Sequence, residues 1–352
     1  MTETPNILIV GSEASIRHLV CDSLAGGSFR CTGVQGAREA FEVVKKAAID
    51  AALLDVSSMG TQDGLRLMRR LRDEAQDLPL VLVNGSPSDE FSLEVMRTGV
   101  VDYLMKPFSG SELVSALDRA VRWRRAAVRS RRSAERDEWR MARRTARLCQ
   151  FSAALPPSDA ALEDWLSRLY RVDIRTRDHG RRVAHLSRLV AGCLRVPAVT
   201  TDIIARAALL HDIGKLAIPR HIVRKTGPLT AHERRLVQEH VQSGYAIALA
   251  SPFLEPSADI LLSIRERFDG SGYPRQLRGE DIPLGARIVS VVEVLDALTS
   301  ARSLVDPVSH GVANAELVRA AGGRFDPDVV SAWLRCADGL TENKCGGEGE
   351  PA

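Results

Sequence analysis

The chain has 352 residues, too many for one ordinary core, so two domains are expected. With 45% hydrophobic and 26% charged residues it has the make-up of a soluble globular protein. A formal net charge of +3 is too small to argue for a specific nucleic-acid or membrane partner. MTETPNILIV opens on an acidic residue and contains no long apolar run, so neither a signal peptide nor a membrane span is expected. Cys21, Cys31, Cys149, Cys193, Cys336 and Cys345 are scattered without paired spacing. They read as reduced cytoplasmic thiols, not as a disulfide frame or a zinc cage.

Taken in chain order, short β-rich runs come first: NILIV, a weaker FRCTGV, DAALLDV, PLVLVN and VDYLMK. Amphipathic stretches such as GLRLMRRLRDEA and DEFSLEVMRTG lie between them. Strands alternating with helices predict an α/β domain, a doubly wound parallel sheet of five strands. Chemistry in such sheets gathers at the carboxyl ends of the strands, here Gly11, Ser12, Asp55, Asn84 and Lys106.

ILIVGSEASIR and DYLMKPF resemble the flavodoxin-like receiver domain of bacterial response regulators. The resemblance covers roughly residues 5–122 of a receiver-like domain bounded at 1–122, and implies that Asp55 is the phospho-acceptor position and Lys106 its phosphate-contacting lysine. The family holds magnesium with two acids where this chain has Gly11 and Ser12, with Glu13 next along. Asn84 replaces the family's hydroxyl residue, and DVSSMGTQDG is one residue longer than usual. An inactive acceptor position is therefore expected, in a domain serving protein interaction.

From VRWRRAAVRSRRSAERDEWRMARRTARL the composition turns to arginine and alanine without Gly or Pro, which predicts a continuous basic helix in a linker over 123–158. Leu113, Leu117 and Val121 form an apolar row that Arg124 and Arg131 interrupt, so a homodimer through this helix would be weak. An arginine face can meet acidic proteins, lipid or nucleic acid, but with no recognition motif a solvated helix is the expectation. LPPSDA marks the break before the next domain.

Residues 159–336 show helix after helix, and 337–352 read as a flexible tail. His179, Val183, Leu186 and Val190 share one helical face, so the histidine points inward. His240 shares a face with Val237, Val241 and Gly244, whereas His232, beside the Thr230/Glu233 capping-box pattern, is expected to be exposed. Glu293 sits in the apolar run RIVSVVEVLDAL, where a carboxylate is costly unless paired or metal-bound. With the adjacent His211 and Asp212, these groups make a donor set suited to zinc, iron or manganese, and metal-assisted phosphoester hydrolysis is the matching chemistry. Lys215, one turn after His211, is placed to meet a phosphate.

HDIGKLAIP, KTGPLTAHE, FDGSGYP, LRGEDIPLGARI, DALTSAR and FDPDVV resemble the HD-GYP family in order and spacing. The resemblance implies an all-α HD-type domain, a metal-dependent phosphodiesterase that opens cyclic di-GMP. It implies metal-ligand positions at His179, His211, Asp212, His240 and Glu293, and a catalytic pair in Asp212 and Lys215. Phosphate contacts fall to Lys215 and Arg302, and Gly272, Tyr273 and Pro274 form the naming loop.

Several positions depart from the family. Where the family has two histidines and a glutamate this chain has Ile264, Arg265 and Glu266, so both histidines are lost and the glutamate is kept; Glu293 stands for aspartate; Arg175 stands for a glutamate; Val305 stands for a basic residue. Isoleucine offers no donor and arginine is a permanent cation. His179, His211, Asp212 and Glu293 could close one site, leaving only His240 and the bridging Asp212 for a second. About one divalent ion per chain is thus expected. Two readings stay open: a signalling protein with weakened or lost hydrolysis, or an active phosphodiesterase using a reduced site. Cyclic di-GMP, and a diguanylate-cyclase or other signalling domain, are the expected partners. A nucleic-acid regulator has no recognisable module behind it.

Overall fold

Five apolar runs form the sheet of the first unit in a computed structural model, which describes residues 4–11, 29–59, 61–85, 99–172, 176–300 and 306–345. Strands β1 (Asn6–Val10), β2 (Arg30–Val34), β3 (Ala51–Asp55), β4 (Leu80–Asn84) and β5 (Asp102–Met105) are all parallel, in the order β2-β1-β3-β4-β5. The chain direction across the sheet reverses between β1 and β3, so Gly11 and Asp55 sit at the switch point. β3 is buried along its whole length because both faces of the sheet are covered. Leu8, Val10 and Leu54 pack on one side with Leu67 and Leu71 of α2 (Thr61–Glu74), beside α1 (Ala37–Lys46). Ile7, Ile9 and Leu53 pack on the other.

That second face is covered by the start of α3 (Gly110–Ala154), a helix of 45 residues as continuous as its composition predicts. Leu113, Leu117 and Val121, the row considered for pairing with a second copy, are at most 3% exposed and belong to the domain's own core. The chain divides into two compact units between Glu135 and Arg136, inside α3, whereas composition suggested breaks after 122 and 158. The expected helix DEFSLEVMRTG, along with Ser12 and Glu13, lies outside the described residues.

The second unit is helical: α4 (Asp159–Val172), α5 (Thr176–Cys193), α6 (Ala198–Leu209), α7 (Arg220–Val223), α8 (Ala231–Gln238), α9 (His240–Leu249), α10 (Ala258–Ser263), α11 (Leu284–Thr299), α12 (His310–Arg319) and α13 (Pro327–Cys345). Trp165, Val190, Ile247, Ile288, Val292, Phe325 and Trp333 meet in one core, with α11 apolar on most sides because helices surround it. No described helix is long and apolar enough to cross a membrane.

Three expectations need correction. The last helix runs on to Cys345, past the point where a tail was expected. Cys193 and Cys336 form a disulfide: α5 and α13 pack together and bring their Cα atoms to 6.5 Å across a sequence separation of 143, which no local spacing reveals. His232 is only 19% exposed, because α3 passes over it and sets Glu138 3.6 Å from its ring nitrogen.

Candidate metal centre

The centre is built on a turn that only glycine permits. A Cβ on Gly214 would lie 1.8 Å from the carbonyl oxygen of His240, so the 3-10 turn Ile213–Leu216 touches the first residue of α9. That contact sets Asp212 and Lys215 beside His240. His211 follows α6, His179 comes from α5, and Glu293 and Asp296 lie three residues apart on α11.

All three inward histidines are anchored alike. Nδ1 of His179 meets Asp296 Oδ2 at 2.6 Å, Nδ1 of His211 meets the Ala208 carbonyl at 2.7 Å, and Nδ1 of His240 meets the Val237 carbonyl at 2.6 Å. Each partner can only accept, so each Nδ1 carries the proton and each Nε2 keeps a lone pair. Burial opposes ionisation of Asp296, yet hydrogen bonds from His179 and Arg182 hold its carboxyl well below the usual range. Burial pushes His240 down to about 4, with Arg265 adding to the effect, so this ring is neutral near pH 7.

One ring nitrogen each of His179 and His211 and a carboxylate oxygen of Glu293 lie within 4.8 Å of one another. Asp212 is not in that group. Its Oδ2 accepts from Lys215 Nζ at 2.6 Å and lies 3.5 Å from His211 Nε2. Burial would raise the Asp212 carboxyl, but Lys215, His211 and His240 outweigh it and keep it well below its ordinary value. His211 Nε2, His240 Nε2 and Asp212 Oδ1 are buried without a hydrogen-bond partner among the described residues. Each such atom costs about 1–3 kcal/mol unless something binds it. Two imidazole lone pairs and a carboxylate oxygen are the donors that a divalent ion of the zinc, iron or manganese class takes. The residues fit a metal.

Arg265 holds Glu293 with two parallel hydrogen bonds of 2.9 Å, one to each carboxylate oxygen. Burial works against charge on Glu293, and the guanidinium overrides it, keeping the carboxyl low. Ile264, 3% exposed, is packed into the helical core. Glu266, by contrast, shapes the loop that follows: its Oε1 accepts from Arg275 N at 2.7 Å and its Oε2 from Leu277 N at 3.2 Å. A Cβ on Gly272 would lie 2.3 Å from Arg267 N, so the loop closes on the Glu266 backbone only with glycine there.

A cavity of about 480 Å³ opens over these groups, lined by Lys215, His240, Arg265, Tyr273, Glu293 and Arg324. Gly272 also lines it, whereas Pro274 faces a neighbouring, smaller hollow with Tyr273. Sequence reasoning assigns no role to Asp296 or Arg324, although Asp296 opens the DALTSAR stretch and shares a helical face with Glu293, whereas nothing local signals Arg324. Arg175, Arg302 and Val305 lie outside the described residues.

In the first unit, Asp55 is buried at the end of β3, and both its oxygens are engaged. Oδ1 accepts from the Ser57 hydroxyl at 2.6 Å and Oδ2 from Lys106 Nζ at 2.8 Å. A Cβ on Gly11 would lie 3.3 Å from Asp55 Cβ, so no acid reaches over the aspartate from that residue. Asn84 turns its side-chain oxygen to the Gly85 amide at 2.8 Å.

Residues 7–118 match the response regulator receiver domain, and residues 166–329 match the HD domain. The chain is 33% identical over 343 residues to the cyclic di-GMP phosphodiesterase response regulator RpfG of Xanthomonas campestris pv. campestris, covering 94% of this chain and 87% of that protein. It is 28% identical over 346 residues to a cyclic di-GMP phosphodiesterase of Thermotoga maritima, covering 96% and 91%. Over 171 residues it is 36% identical to the 3'3'-cGAMP-specific phosphodiesterase 2 of Vibrio cholerae, covering 46% of this chain and 32% of that one.

Proposed function

The chain belongs to the response regulators that join a receiver domain to an HD domain of the HD-GYP type, and from that membership we propose a cyclic di-GMP signalling protein whose hydrolysis is weakened or lost. The observation that carries the reading is the Arg265–Glu293 pair with Ile264 sealed beside it. An arginine and an isoleucine stand where two histidine donors are expected, and the remaining carboxylate is gripped by the arginine.

On this reading His179, His211 and Asp212 hold one divalent ion of the iron, manganese or zinc class, with Glu293 competing between that ion and Arg265. A bound ion of this kind supplies Lewis acidity and lowers the pKa of its water. The chain's own residues do the rest: Lys215, Arg265 and Arg324 present cations to a phosphodiester in the cavity, and Tyr273 walls it. Those three cations favour a second reading, an active phosphodiesterase on a reduced site, because fixed positive charge can take part of the load a second ion would carry. Asp55 stands as an unphosphorylated acceptor position, with Lys106 neutralising it. The proposal takes the protein as cytoplasmic, with a diguanylate-cyclase or other signalling domain as a further partner.

Metal analysis and turnover on the same pure protein test it. We expect no more than about one ion per chain after loading, since one site keeps several protein donors. Cyclic di-GMP turnover should be slow, because the clamp of two ions on attacking and leaving oxygens is missing. Restoring Ile264→His with Arg265→His should raise metal content towards two and increase hydrolysis, and His211→Ala should abolish metal binding. Two ions and brisk cleavage by the unmodified protein would put the active reading in its place.

A further inference from the structure

Away from the metal centre, the second unit holds another cavity, of about 570 Å³, lined by five arginines. Arg144 and Arg147 come from α3, Arg168 and Arg171 from α4, and Arg220 opens α7. Its apolar wall includes Leu216 and Ile218. Among the described residues no carboxylate lines it, and none of the five makes an ion pair. Two are fixed by other means: Arg144 donates to the Ile218 carbonyl at 2.7 Å, and Arg168 lies 3.6 Å over the Phe151 ring. Burial pushes Arg144 below the usual guanidinium range, and repulsion from Arg220 and Arg140 adds to it.

Five guanidiniums converging with no carboxylate in the lining, and only Asp137 attracting Arg144 from beyond it, repel one another, and a fold tolerates that best where an anion is received. The planar fork of arginine matches phosphate oxygens two at a time. The volume is that of a small-molecule pocket, larger than a lone phosphate needs. We propose that this cavity binds a nucleotide-sized phosphate ester carrying at least two negative charges, at a site separate from the metal centre. Its wall residues Leu216 and Ile218 share the short run that carries Asp212 and Lys215. A ligand there presses on the backbone that shapes the metal centre.

Calorimetric titration of the full chain with ATP and with GTP tests this, in wild type, in the R147E/R171E double variant and in K215A. One saturable site is expected that takes both nucleotides alike, since the arginines read phosphate and not base. It should weaken at least ten-fold in R147E/R171E and persist in K215A. Absence of saturable binding overturns the proposal. So does binding that survives R147E/R171E but vanishes in K215A, which would locate it over the metal centre. Vesicles of anionic lipid or random duplex DNA binding where both nucleotides fail would also overturn it, making the arginines a surface for a membrane or nucleic acid. Should the charge reversals unfold the chain, R147Q/R171Q carries the same test with the same readings.

Discussion

Gly214 has no room for a side chain, and the consequence can be measured. Gly214→Ala must drive α9 away from the turn or distort the backbone, which should cost about 3 kcal/mol or more and scatter the donors. A thermal melt with metal analysis checks it; a stable variant with wild-type metal content would contradict the role of this contact. Arg265 gives a second residue-scale prediction. Arg265→Met leaves Glu293 buried without its partner and should destabilise by roughly 3 kcal/mol, while Arg265→Met with Glu293→Gln should recover most of the loss. The first half of this was legible in the sequence, because Arg265 sits where a donor is expected. Its grip on Glu293 was not, since that needs α11 and the segment after α10 to be neighbours.

At the scale of elements, local signals sufficed wherever the deciding contacts were local. β1, β3 and β4 follow from continuous apolar runs, β2 and β5 from weaker mixed ones, and α3 from an unbroken stretch of helix formers. The capping box at α8 follows from Thr230 and Glu233: the Thr230 amide donates to Glu233 Oε2 at 2.7 Å and the Glu233 amide to Thr230 Oγ1 at 3.2 Å. Thr230→Ala should cost about 1 kcal/mol. Glu233 also accepts from Lys225 at 2.6 Å, and this bond, with those at Thr230, lowers its carboxyl from 4.5 to about 2. A depressed folded pKa stabilises above the unfolded value and is lost as pH falls through the folded one. The stability gap between wild type and Glu233→Gln should therefore be full above about pH 4.5 and close as pH falls towards about 2. Denaturant melts across that window read it directly, and a gap independent of pH would sink the assignment. His232 was misjudged for the opposite reason, its cover being a helix almost a hundred positions earlier.

On the scale of the whole molecule, the division inside α3 makes a prediction about where the chain can be cut. Met141 is 4% exposed and packs with Ile218, Ile222 and Leu236, so the end of α3 belongs to the second unit. A fragment of residues 136–352 should unfold in one cooperative transition. A fragment starting at 159 should be markedly less stable, because it bares that apolar cluster. Equal stability of the two fragments would show that α3 contributes nothing to the helical unit.

The disulfide has a topological meaning. Cys193 and Cys336 turn the stretch between them into a closed circuit, and His211, Asp212, His240 and Glu293 all lie on it while His179 stands outside. Closing a circuit with a separation of 143 residues removes unfolded-chain freedom worth about 5 kcal/mol in the loop-entropy account. A single peptide cleavage anywhere on the circuit would leave the protein one covalent molecule, with every donor still tethered to every other. It would come apart only when a reductant opened the second link.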